Sequence, residues 1–78
     1  MEIKLISQDG CNPCKYVKNL LDAEVVFYDY LNITQDESIK DKYGIMGTPV
    51  TILFDGVKEI QRVHGYDIPK LHLLIQKL

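Results

Sequence analysis

The chain opens on a short apolar run, Glu2-Ile-Lys-Leu-Ile-Ser7, that ends in the polar residues Gln8 and Asp9 and in Gly10. A run this brief, closed by a turn signal, predicts a buried strand rather than a helix. From Cys11 to Ala23 the pattern changes: Cys14, Val17, Leu20 and Leu21 recur at intervals of three and four, opposite Lys15, Lys18, Asn19 and Asp22. That spacing predicts an amphipathic helix, and because Pro13 is tolerated only in a first turn, the helix starts at Cys11 or Asn12. Val25 to Leu31 is rich in β-branched and aromatic residues and predicts a second strand. Thr34-Gln-Asp-Glu37 has the form of a capping box, so a second helix is expected from Gln35 to Tyr43, stopping at Gly44. Val50 to Phe54 predicts a third strand, joined through Asp55-Gly56 to a more polar fourth ending near Val63. Asp67 then caps a last helix, with Pro69 in its first turn and Ile68, Leu71, Leu74, Ile75 and Leu78 as its buried face.

The predicted order is β-α-β-α-β-β-α, an α/β fold in a single domain over residues 1–78. Strands separated by helices pair in parallel and the hairpin adds an antiparallel pair, which gives a four-stranded mixed sheet flanked by helices. No apolar run approaches the length of a membrane span, and the first strand is too short for the apolar centre of a secretory signal. The cytoplasm is therefore the expected compartment. The nine Lys and Arg residues are scattered through a chain of net charge −2, so neither a nucleic acid nor a membrane is an expected partner. The protein is expected to act as a monomer.

Two cysteines sit three positions apart, as Cys11-Asn12-Pro13-Cys14. A bridge between them closes so short a loop that its entropic gain falls well under the ~3 kcal/mol of a 15-residue loop, so stability is a poor reason for the pair. Zinc wants four ligands, and His64 and His72 lie far along the chain at a spacing that matches no standard finger; no metal is expected. Redox chemistry fits better. At a strand-to-helix junction the Cys11 sulfur lies near unpaired N–H groups and the positive end of the helix dipole, and both favour thiolate over thiol. A stabilised thiolate is also a good leaving group, so a mixed disulfide formed through it resolves quickly. Cys14, one turn further in and on the face of Val17 and Leu21, is expected to be partly buried and to serve as the resolving thiol.

Two segments resemble the thioredoxin superfamily: Cys11-Asn12-Pro13-Cys14-Lys15, and Leu31 to Val50, which ends Gly44-Ile-Met-Gly-Thr-Pro-Val50. With the hairpin and last helix they cover most of the chain. The resemblance implies a thioredoxin fold in a minimal, glutaredoxin-sized form that lacks the N-terminal strand and helix, as in the redoxins that reduce ribonucleotide reductase. It implies reduction of protein disulfides through Cys11 and Cys14, recharging by a flavin-dependent thioredoxin reductase or a related enzyme, and no cofactor beyond the cysteine pair. It also implies that Pro49 is cis and faces the cysteines, with the backbone of Thr48 pairing with an extended substrate. Without the family, Gly47-Thr-Pro49 reads as a turn entering a strand. Gly65 matches the glycine that approaches the thioredoxin active site, and its separation from Pro49 fits the longer thioredoxin hairpin.

His64-Gly65-Tyr66-Asp67 is close to the Gly-Gly-Tyr-Asp with which glutaredoxins hold glutathione, lacking only the first glycine. Glutathione therefore stays as the alternative reductant, beside the plainer reading of a loop glycine and a helix cap. Other features depart from thioredoxin. Gly10 stands where the tryptophan precedes the first cysteine, the family's buried acid falls at Leu5, and its lysine neighbour falls at Tyr30. Cys14 must then lose its proton to another base, to water or to the departing thiolate. Tyr16 reads as an exposed helix aromatic that can flank the sulfur, and His72 falls on the polar side of the last helix. Two further readings remain: a peptide-binding module that keeps the fold without turnover, and an iron–sulfur scaffold held between monomers.

Overall fold

A computed structural model describes residues 1–78. It contains β1 (Glu2–Ser7), α1 (Asn12–Ala23), β2 (Tyr28–Asn32), α2 (Ser38–Tyr43), β3 (Val50–Asp55), β4 (Lys58–His64) and α3 (Ile68–Gln76). The four strands form one sheet in the order β2-β1-β3-β4. β1 pairs parallel with β2, as the intervening α1 requires, and antiparallel with β3, which pairs antiparallel with β4 across the hairpin.

Alternation along the strands divides the core between the two faces of the sheet. On one face Ile3, Leu5, Leu53 and Val63 pack with Val17 and Leu21 of α1 and with Leu71 and Leu74 of α3. On the other, Ile6, Val50 and Ile52 pack with Ile33 and Ile45, and the half-buried Ile39 and Tyr43 of α2 lie against them. No helix is long and apolar enough to cross a membrane.

Three expectations about the elements are corrected. β2 begins at Tyr28 rather than Val25, because residues 24–26 finish α1 instead: the N–H groups of Glu24, Val25 and Val26 bond to Leu20, Asp22 and Leu21 carbonyls. Val25 turns there at φ 55, a left-handed conformation that a β-branched residue rarely adopts, and it is 83% exposed; Phe27 is 94% exposed. Propensity for strand was overridden by the helix's unpaired ends. α2 starts at Ser38 rather than Gln35, and the capping box does not form. Thr34 Oγ1 accepts instead from the Asp9 N–H at 3.0 Å, while Asp36 Oδ1 takes the Ser38 N–H at 3.1 Å and the Ser38 hydroxyl at 2.6 Å. That tight pair of bonds holds the Asp36 carboxyl below its usual range, the hydroxyl contributing most. In α3 the buried stripe is Leu71 and Leu74, with Ile75 half-buried; Ile68 in the first turn is 41% exposed and Leu78, past the helix end, 53%.

The C-terminal end of β1 and the start of β3 lie together, since Ile6 pairs with Val50, and the end of β4 joins them, since Val50 pairs with His64. The Cys-x-x-Cys segment after β1, Pro49 before β3 and Gly65 after β4 are thus delivered to one end of the sheet.

Candidate active site

Cys11 is the N-cap of α1, with extended backbone (φ −94, ψ 106), and Asn12 and Pro13 occupy the exposed first positions of the helix. Pro13 sits where a missing N–H leaves no bond unmade, which fixes the start of the helix beside the first cysteine. The Cys11 sulfur accepts the Cys14 N–H at 3.2 Å, the bond a serine or aspartate makes at other N-caps. No acidic residue lies in the first turn, so nothing there opposes negative charge on that sulfur. Cys11 is half-buried and Cys14 only 2% exposed, and the two are joined as a disulfide with their Cα atoms 5.3 Å apart.

The loop leading into this helix is braced from β2. Asn32 Nδ2 donates to Asp9 Oδ1 at 2.8 Å, Thr34 Oγ1 takes the Asp9 N–H, and the Ile33 N–H continues the ladder to the Ser7 carbonyl at 2.9 Å. These bonds fix residues 8–10, and with them the approach to Cys11. The sequence did not point to these pairings, since Thr34 and Asp9 read for local roles and the partners lie 23 to 26 positions away.

The Thr48–Pro49 peptide bond is cis, Pro49 is buried, and its carbonyl accepts the Gly65 N–H at 2.8 Å. Gly65 is therefore stitched to Pro49. Its φ of 73 is what calls for glycine, because a Cβ added there would meet nothing within 4 Å. The Thr48 hydroxyl is buried without a hydrogen-bond partner. Asp67, which closes the His64-to-Asp67 segment, caps α3: its carboxylate accepts the Lys70 N–H at 3.2 Å.

Tyr16, on the second turn of α1, and Tyr66, beside Gly65, meet with ring centroids 5.5 Å apart and planes tilted by 52°. Both are exposed, so Tyr16 is the surface aromatic expected, while its pairing with Tyr66 was invisible in the pattern. Met46, in the loop that leads to Pro49, is also fully exposed. Leu5 and Tyr30 are direct cross-strand partners, and Tyr30 sends its hydroxyl to Ser7 Oγ at 3.0 Å. His72 lies on the exposed side of α3, 3.7 Å from Glu24. No group of three or more His, Cys, Asp or Glu residues is arranged to hold a metal. The largest surface cleft, about 520 Å³, lies toward the other end of the sheet between Lys4, Tyr43, Phe54 and Arg62, and none of the clefts is lined by either cysteine.

A dithiol–disulfide pair at the head of a helix, on a four-stranded sheet of this order, is the arrangement of the thioredoxin superfamily. Residues 3–56 match the sequence profile described as Glutaredoxin, and the chain belongs to that family of small redoxins. The SPbeta prophage-derived thioredoxin-like protein YosR of Bacillus subtilis (strain 168) is 34% identical over 79 aligned positions, covering 100% of this chain and 99% of that one. Among solved structures, the thioredoxin-like protein BC3987 is 28% identical with a TM-score of 0.79, over 94% of this chain and 99% of that one. Fasciola hepatica thioredoxin superposes with a TM-score of 0.85 at 21% identity, over 96% of this chain and 77% of that one, a likeness of fold.

Proposed function

We propose that the protein is a dithiol electron carrier that reduces disulfides in other proteins. The observation that carries this reading is the setting of Cys11, whose sulfur caps α1 and accepts an N–H, while Cys14 is buried one turn behind it. Cys11 is the attacking thiolate. Its sulfur bonds to one sulfur of a substrate disulfide and the other leaves as a thiolate, which takes up a proton. Cys14 then attacks Cys11 Sγ: the Cys11–Cys14 bond forms, the bond to the substrate breaks, and the second substrate sulfur leaves with the electron pair and takes the proton that Cys14 gives up. The substrate is reduced by two electrons and the pair is oxidised, with no further cofactor needed.

The backbone of Thr48 offers an edge for an extended substrate segment, Pro49 behind it is tied through its carbonyl to Gly65, and Tyr16, Tyr66 and Met46 add exposed apolar surface. Because no cleft encloses the cysteines, a disulfide on a macromolecule suits the site better than a small molecule. Electrons return from a flavin-dependent thioredoxin reductase or a related enzyme. Membership among the small redoxins makes ribonucleotide reductase a candidate acceptor, and the reducing cytoplasm is the compartment in which such a carrier, acting as a monomer, stays charged.

The match to glutaredoxins favours glutathione as a second reductant. Against it, the matched residues stop at 56, and the Asp67 carboxylate is already engaged with the start of α3. Turnover of an insulin-type disulfide decides between them: support by NADPH with thioredoxin reductase is the expected result, and support by glutathione with its reductase alone overturns it. Cys14→Ser should accumulate mixed disulfides through Cys11 that Cys11→Ser does not form, and mass spectrometry of the trapped species names the substrates. No trapped protein, with peptide binding intact, makes this a binding module. A reduction potential near about −270 mV fits a reductant, and one near about −120 mV an oxidant.

A further inference from the structure

A row across the sheet runs Tyr30, Leu5, Thr51, Val63 through successive strand partners. Partners on neighbouring strands share a face, and Leu5 and Val63 belong to the core under α1 and α3, so Tyr30 and Thr51 point to that side too. Ser7, two residues beyond Leu5, shares it. Leu5 is wholly buried at the position where the superfamily resemblance places an acid. The row itself carries two hydroxyls, of Tyr30 and Thr51, with that of Ser7 next to it and the Asn32 amide, bonded to the Asp9 carboxylate, across from Ser7. Thr51 is completely buried and its hydroxyl has no hydrogen-bond partner. Ser7 is buried as well, and because its Oγ accepts the Tyr30 hydroxyl, its own proton is left to donate elsewhere.

Cys14 comes out at the level of Ser7, two residues along β1 from the row of Leu5 and Thr51. The last turn of α1 is held beside the start of β2 by the Tyr28 hydroxyl, which donates to Asp22 at 2.7 Å, and Tyr28 pairs with Ile3. Cys14 is about 12 Å back along the helix from Asp22. Ser7 is about 13 Å along β1 from Ile3. Helix and strand run in opposite directions, so Leu21, Val17 and Cys14 follow the course of Ile3, Leu5 and Ser7. The buried sulfur thus sits over the end of the sheet that carries the three hydroxyls.

A buried hydroxyl without a partner destabilises a fold, and valine would fill the Thr51 site without that cost. In the disulfide form Cys14 offers only a weak acceptor; a Cys14 thiolate is a strong one. We propose that the Thr51 hydroxyl, with the Ser7–Tyr30 pair beside it, donates hydrogen bonds to the Cys14 sulfur as it becomes a thiolate, a positioning role. The inference rests on the redox reading above and deepens it. In the step it assists, Cys14 Sγ bonds to Cys11 Sγ, the Cys11–substrate bond breaks, and the electron pair leaves on the substrate sulfur, which collects the proton Cys14 released. The hydroxyls gain and lose no proton overall.

The test uses the full chain, reduced, and an aromatic disulfide reagent whose thiol product absorbs visible light. Attack by Cys11 releases one equivalent of that thiol and resolution by Cys14 releases a second. In Thr51→Val the second phase is expected to slow by roughly fivefold, the size of one ordinary hydrogen bond, with the midpoint of its pH profile moved upward and the first phase unchanged. Thr51→Ser, which keeps the hydroxyl, should restore both rate and midpoint. The melting temperature of oxidised Thr51→Val should rise, because the unpartnered hydroxyl is gone. A second phase with unaltered rate and midpoint overturns the proposal, as does equal slowing of both phases or a fall in melting temperature. Failure of the unaltered protein to show any first phase would instead sink the redox reading itself.

Discussion

The two faces of the sheet are built to different standards. Under α1 and α3, eight side chains from five elements are each at most 1% exposed. Under α2 the cluster has five members; Ile33 and Ile45 come from connecting segments, and no residue of α2 itself is fully buried. The difference follows from helix length. α1 has twelve residues and α3 nine, enough to repeat an apolar stripe, whereas the six of α2 make fewer than two turns. The redox pair rides on the well-packed side. Its helix is anchored through Val17 and Leu21 while the Cys11 end stays half-exposed.

The sharpest way to break this comparison is to remove one anchor from each side. Leu71→Ala is expected to cost about 3 kcal/mol in urea unfolding, and Ile39→Ala under about 1.5 kcal/mol, because only the first leaves a cavity in a sealed core. Equal losses would mean that the faces contribute alike. A smaller contrast lies at the helix starts. Asp67→Ala removes the side-chain cap of α3 and should cost about 1 kcal/mol, while Glu37→Ala at α2, where no side-chain cap bond exists, should change stability by only a few tenths.

The smallest effect is expected in acid. The Arg62 guanidinium holds the Glu59 carboxyl below the usual range, Tyr28 and then Lys18 do so for Asp22, and Ser38 for Asp36. With folded values depressed, each group contributes stability that is present above about pH 4 and lost as pH falls through the folded value. These carboxylates are largely solvent-accessible, so the drop in melting temperature below about pH 4 should be slight, and salt should shrink the Glu59–Arg62 and Asp22–Lys18 parts of it. A steep acid transition near pH 6 would count against this account.

Much of the site was readable because its logic is local. Pro13 can stand only in a first turn, so the helix had to open at the cysteines, and the three-and-four spacing of Cys14, Val17 and Leu21 put the second cysteine on the buried face. The start of β2 was misread because Val25 and Phe27 carry strand propensity, whereas the unpaired carbonyls at the end of α1 claim that stretch of backbone. Thr34 and Glu37 spell a capping box, yet Thr34 Oγ1 is drawn to the Asp9 N–H across the chain.

Periodicity and proline placement by themselves determined the order of the elements, the dithiol at the head of α1 and the burial of its second cysteine, because those depend on neighbours within a turn or two. Only tertiary structure decided that Tyr16 meets Tyr66, that Gly65 is tied to Pro49, and that Thr51 stands beside Leu5 with an unpartnered hydroxyl. Those pairings join residues 16 to 50 positions apart, and which of them form is settled by strand register and helix packing, not by any local preference of the chain.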